Sequence, residues 1–256
     1  MEATSAASDV LRRYALTIGD TSLILAQRLG EWIGHAPALE EDLALANIAL
    51  DLLGQARYLL SHAAQLQGSD GTEDDLAFLR DPQDFLNLSL VEQPNGDFGQ
   101  TIVRQFLVDA WQLELFERLQ QSSEPKLAEL AAKAIKETRY HFRFSSGWVV
   151  RLGDGTEESH RRVQTALDAL WRFTHEMFVA SPVEQEAAAL GIGPDPASLA
   201  AGWTSRVEEV LREATLKRPA DVAYSWHGKR GQHSEHLSRL LAEMQIMQRT
   251  YPGAQW

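Results

Sequence analysis

Apolar residues recur at helical spacing along most of the chain, most densely over residues 37–67. One row there reads Leu39, Leu43, Ala46, Leu50, Leu53, Leu60 and Ala64, and a second reads Leu45, Ala49, Leu52, Ala56, Leu59, Ala63 and Leu66. Two such rows cover most of a helical cylinder, so the segment predicts a long central helix buried among several others. Leu and Ala favour helix, and Glu40, Glu41 and Asp42 place negative charge at the positive end of its dipole. One polar row remains: Asn47, Asp51, Gln55, Tyr58 and His62. It is either a solvated face or the lining of a site.

The same period predicts a first helix over 9–33, with Tyr14, Ile18, Leu25, Leu29 and Trp32 in one row, joined to the central helix by a short turn. Further helices are expected at about 97–121, from a Ser123 cap to about 152, from a Thr156 cap, at about 199–216 and at 234–248. A short helix is expected over 80–90, and loops over 68–75, 181–198 and 217–233, the second with room for one short helix. Residues 1–8 read as a disordered tail and 9–256 as a single domain. β-Branched alternation is missing, so the class is all-α, a bundle of four long helices with additional C-terminal helices.

Composition narrows the chemistry. The chain has 256 residues and a net charge of -12, which argues against a phosphate-backbone binder and so against a nucleic-acid partner. It has no cysteine, which excludes thiol catalysis, disulfides and thiolate metal sites. The N-terminus lacks a secretory pattern and no long uninterrupted apolar run appears, so the expectation is a soluble, cytoplasmic chain without membrane contact.

Helical bundles that carry out oxidative chemistry often hold two metals between Glu residues on two helices and Glu-x-x-His on two others. Here Glu-x-x-His occurs at Glu157–His160, where it reads as an acid beside a helix cap. At core positions the pattern breaks: Asp51 is followed by Gly54, and Glu137 by Tyr140 with His141 one residue on. The third long helix offers Asp109, and the middle of the first is read as offering no carboxylate, with Gln27 and Arg28 its nearest polar residues. Asp109 and Arg57 fall in apolar rows, which suggests a cluster in which Arg28 or Arg57 neutralises Asp51, Asp109 or Glu137. The alternative is that each reaches solvent at a rim. His233, Glu235 and His236 are a metal candidate or a helix start, Lys229–Arg230 a solvated pair or an anion contact. Tyr140, His141, Phe142, Phe144 and Trp148 form an aromatic patch suited to a core or a subunit interface.

Longer strings carry a resemblance. RLGEWIGHAPALEEDLALANIALDLLGQAR (28–57), LVEQPNGDF (90–98), AKAIKETRYHFRFSSGWVVRLGDGTEES (132–159) and GKRGQHSEHLSRLLAEMQIMQRTYPGAQW (228–256) resemble the C subunits of bacterial phenylacetyl-CoA epoxidases, also called ring 1,2-epoxidases or phenylacetyl-CoA oxygenases. The resemblance implies a ferritin-like fold and a structural, non-catalytic subunit of a monooxygenase complex for aerobic phenylacetate degradation. Such a subunit binds no cofactor of its own. It pairs with a catalytic A subunit holding di-iron, beside a B subunit and a reductase with flavin and iron–sulfur. Asp51, Gly54, Asp109, Glu137, Tyr140 and His141 would then be relic di-iron positions without metal. The resemblance also implies that Arg80, Asp84, Phe85 and Asn87 lie near the CoA ester. The first two helices, with Trp32, Leu45 and Leu59, and the aromatic patch are the expected interface, which would form a homodimer without the A subunit. Two other readings stay open: an independent di-iron oxygenase using Asp51, Asp109, Glu137 and His141, and a stand-alone helical interaction module.

Overall fold

The computed structural model of the chain describes residues 2–68, 71–222 and 226–254, with side chains from residue 6 onward. Residue 1 of the expected tail, 69–70 of the first expected loop and 223–225 of the last lie outside the described residues. Among the described residues the fold is all-α and ferritin-like, as expected. The helices are α1 (Glu2–Gly30), α2 (Leu39–Gln67), α3 (Glu73–Phe78), α4 (Phe98–Leu119), α5 (Pro125–Gly153), α6 (Glu157–Trp171), α7 (Pro182–Ala189), α8 (Ala200–Glu213), α9 (Glu235–Met244) and α10 (Ile246–Thr250). The chain divides into two compact units, Met1–Pro94 with Trp226–Trp256, and Asn95–Ser225.

In the first unit α1 and α2 pack along their length. Their approach is close at Gly19, where an added Cβ would stand 3.1 Å from the Cβ of Leu59. α1 begins at Glu2, so helix covers most of the segment read as a tail. α2 departs from the expectation of burial on all sides. Leu45, Ala49, Leu52, Ala56, Leu59 and Ala63 are buried, whereas Leu39, Leu43, Leu50 and Leu53 of the other row are exposed. By length and composition alone, α2 is also the one helix among the described residues apolar enough to cross a membrane.

The segment after α2 corrects the sequence reading. Residues 68–75 were expected as a loop, yet Thr72 and Asp75 form a reciprocal capping box that starts α3. Residues 80–90 were expected as a helix, yet only Pro82–Asp84 forms a 3-10 turn. Side chains of α1 take the backbone donors a helix would have used. Asp20 accepts from the Leu86 amide at 2.9 Å, and the Thr21 hydroxyl accepts from the Leu88 amide at 3.2 Å. Tertiary hydrogen bonds thus draw 85–91 into an irregular strap against α1.

In the second unit Asp97 caps α4 by accepting from the Gln100 amide at 2.9 Å. α5 opens on Glu124 and Pro125, not on Ser123, whose amide donates to the Gly191 carbonyl at 2.8 Å. The two helices run antiparallel: Phe98 meets Trp148 edge-on at 5.2 Å and Phe106 stacks on Phe142 at 5.8 Å. Thr156 and Ser159 form a capping box at the start of α6, and His160 Nδ1 lies 2.7 Å from the Gly153 carbonyl. Glu157–His160 is therefore a helix start.

Candidate functional site

Positions 105, 109 and 112 share one face of α4, and 138, 141 and 145 share one face of α5, by the helical period. The six residues are Gln105, Asp109, Gln112, Thr138, His141 and Ser145, and all are fully buried. The antiparallel register brings Gln105 level with Ser145, Asp109 with His141, and Gln112 with Thr138. Gln105 Nε2 donates to one oxygen of Asp109 and Ser145 Oγ to the other, each at 2.7 Å. Burial pushes the Asp109 carboxyl up to about 6, against the opposing pull of the His141 charge and of the two hydrogen bonds.

This seam revises the predicted site by one residue. The pair that faces inward three residues apart on α5 is Thr138–His141, not Glu137–Tyr140. Glu137 is partly buried, with Lys133 at 3.9 Å, and Tyr140 is exposed, with the Arg143 guanidinium 5.6 Å from its ring centre. On α2, Gly54 is exposed and an added Cβ there would meet nothing within 4 Å. Asp51 is partly exposed, while Gln55 and His62 of the same polar row are buried. Asp109 and His141 are thus the relic candidates that the structure brings together.

The proposed arginine cluster does not form at Asp109, whose partners are Gln105, Ser145 and His141. Arg57 is exposed and pairs with Glu73 at 3.1 Å. Arg28 pairs with Glu31 at 2.9 Å and donates to the Glu92 carbonyl. The first helix, read as lacking a central carboxylate, carries the fully buried Asp20. Its polar run Gly19–Asp20–Thr21–Ser22 inside an apolar helix was the available signal.

Asp20 organises the other polar interior, within the first unit. It pairs with Arg80, whose guanidinium also donates to the Leu76 and Asp84 carbonyls and lies 4.2 Å from the Phe85 ring centre. Further along the strap, the fully buried Glu92 accepts from the Ser234 amide at 2.7 Å and from Asn87 Nδ2 at 3.3 Å. His233 Nδ1 lies 3.0 Å from Glu92 and its Nε2 lies 2.8 Å from the Phe85 carbonyl. Both ring nitrogens face acceptors, an arrangement the doubly protonated imidazolium satisfies. His233 is accordingly a tie between segments, and Ser234 caps α9 ahead of Glu235 and His236. Gly228 and Gly231 let this return segment approach: a Cβ on either would collide with the carbonyls of Asn87 and Gln83, and Gly231 has φ 77°. Of the predicted CoA contacts, Phe85 and Asn87 are fully buried and Arg80 is engaged by Asp20.

A di-iron centre needs several carboxylates and two imidazoles facing one point. The inward face of α4 and α5 offers Asp109 and His141, with a hydroxyl at 138 and amides at 105 and 112. Among the described residues no group of three or more His, Cys, Asp or Glu is placed to hold a metal ion. This donor set does not fit di-iron.

The chain is 56% identical over 246 residues to the C subunit of 1,2-phenylacetyl-CoA epoxidase from Escherichia coli (strain K12), with 96% of this chain and 99% of the relative covered. The family described as phenylacetic acid catabolic protein matches residues 1–256, and the chain belongs to that family.

Proposed function

We propose that this chain is the non-catalytic structural subunit of a multicomponent phenylacetyl-CoA 1,2-epoxidase, pairing with and stabilising a di-iron catalytic A subunit. The observation that carries the reading is the donor set on α4 and α5. The face that would carry carboxylate and imidazole three residues apart carries Thr138 and His141 instead. The similarity to an epoxidase C subunit supports the same assignment. In this reading di-iron resides in the A subunit, flavin and iron–sulfur in a reductase, and the assembly also includes a B subunit.

The pairing face is the exposed row of α2. Leu39, Leu43, Ala46, Leu50 and Leu53 alternate in steps of four and three, the spacing at which one helix meets another along a seam. Leu39, Leu50, Leu43 and Leu53 are 69%, 64%, 55% and 42% exposed, an apolar stripe of the kind that marks an interface. These residues replace Leu45 and Leu59, which are buried within the fold. A CoA contact at Arg80, Asp84, Phe85 and Asn87 has less support, because a phosphate would have to displace Asp20 from Arg80.

Co-expression with an A subunit, followed by affinity capture and metal analysis, tests the reading. The expected result is a complex whose iron stays with the A subunit on dissociation, and loss of capture for Leu50→Glu with an unchanged melting temperature of the isolated chain. Two irons per isolated chain would overturn the assignment. Undiminished capture of the Leu50→Glu chain would remove the α2 face while leaving the assignment in place.

A further inference from the structure

The seam between α4 and α5 holds more polar atoms than it satisfies. Gln112 is fully buried, and neither its amide oxygen nor its amide nitrogen has a hydrogen-bond partner among the described residues. The same holds for the Thr138 hydroxyl, which the register places level with Gln112, and for Gln105 Oε1. These four atoms flank a buried carboxylate rather than scattering through the core. An unpaired buried amide or hydroxyl costs roughly 1–3 kcal/mol, so four on one seam are not left dry in a stable fold. Buried water commonly makes about three hydrogen bonds to such groups.

We propose that the α4–α5 seam is a built site for ordered internal water, held by Gln112, Thr138 and Gln105 beside Asp109. The chemistry of the lining suits water over other small ligands. It offers acceptors at Gln112 Oε1, Gln105 Oε1 and Asp109, a donor at Gln112 Nε2, and a hydroxyl at Thr138 that serves as either. A bare cation would leave Gln112 Nε2 unserved, and an anion would face the Asp109 carboxylate. When Asp109 takes a proton from a hydronium ion, water is the product. The Ser145 hydroxyl then turns to its second acceptor, the Phe142 carbonyl at 3.4 Å, and accepts from the new O–H. Gln105 Nε2 keeps donating to the other carboxyl oxygen, which stays an acceptor.

The site predicts opposite outcomes for wet and dry interiors. In a high-resolution crystal structure of the full chain, ordered water is expected within hydrogen-bond distance of the Gln112 amide and the Thr138 hydroxyl. A seam in which these atoms meet only protein atoms overturns the proposal. Thr138→Val supplies the solution readout. Replacing a hydroxyl that holds water lowers the melting temperature, whereas removing one that was buried unpaired raises it. A higher melting temperature for Thr138→Val, with Thr138→Ser close to wild type, would mean that the seam is dry.

Discussion

The chain carries two polar interiors built on different terms. Around Glu92 and His233 in the first unit, Ser234, Asn87 and the Phe85 carbonyl supply named hydrogen bonds, and the segments joined are more than 140 positions apart in sequence at 3.0 Å. Around Asp109 in the second unit, two hydrogen bonds come from a hydroxyl and an amide within one helix pair, and the His141 charge acts on the carboxylate from the same pair. A charge met by an opposite charge locks geometry, because neither can be removed without stranding the other. A carboxylate whose burial outweighs its hydrogen bonds and the charge beside it keeps its geometry but bears the cost of desolvation. The first arrangement is a tie and the second is a tunable seam.

The largest effects belong to the tie. Asp20→Ala strands the nearly buried Arg80 guanidinium and the Leu86 amide, and Glu92→Ala strands His233, the Ser234 amide and Asn87. Breaking one member of a buried pair costs about 3–5 kcal/mol. Denaturant melts of either variant are expected to show a loss of that order, with strap and return segment detaching first in hydrogen exchange. A loss below about 1 kcal/mol would place these groups with surface ion pairs and dissolve the contrast.

The seam is expected to respond in the opposite direction. Its carboxyl is raised from 3.8 to about 6 in the fold, so the folded state binds more protons than the unfolded chain between those values. The penalty is absent below pH 4, grows as pH rises toward about 6, and is fully present above it. Two units correspond to roughly 3 kcal/mol as an upper figure. Asp109→Asn keeps an acceptor for Ser145 and, with Gln105 turned, a donor to its oxygen. The variant is therefore expected to be more stable than wild type at pH 7.5, with the gain shrinking toward pH 4. Paired melts across that range check the sign, and a gain independent of pH would mean that Asp109 does not titrate in the fold.

How much of this was readable beforehand follows from the same contrast. Helical period located the long helices because it is written in local spacing. The face of each helix that turns inward was legible to within one residue: of the α5 positions singled out, His141 is buried, whereas Glu137 is partly buried and Tyr140 exposed, and Thr138, which shares the buried face, carries neither carboxylate nor imidazole. Near-neighbour positions differ by about 100° on a helix, so an error of one moves a residue from core to surface. The strap was misread as helix because its competitors, Asp20 and Thr21, lie more than 60 positions away. The Glu92–His233 tie left no local pattern, because its two ends lie 141 positions apart and His233 alone reads as a metal candidate or a helix start.

The smallest effect tests whether α2 carries any trace of a metal site. Gly54 lies in the middle of α2, exposed, with open space where a side chain would go. A glycine at such a position costs the helix about 0.5–1 kcal/mol relative to alanine, because it loses more backbone freedom on folding. Gly54→Ala is therefore expected to raise stability by that amount. Gly54→His should bind no metal, because its side chain points to solvent and not toward the buried row of Leu52, Gln55 and Leu59. Tight, stoichiometric binding of divalent metal by Gly54→His would mean that position 54 faces other ligands, and that α2 rather than α5 preserves the register of a metal-binding bundle.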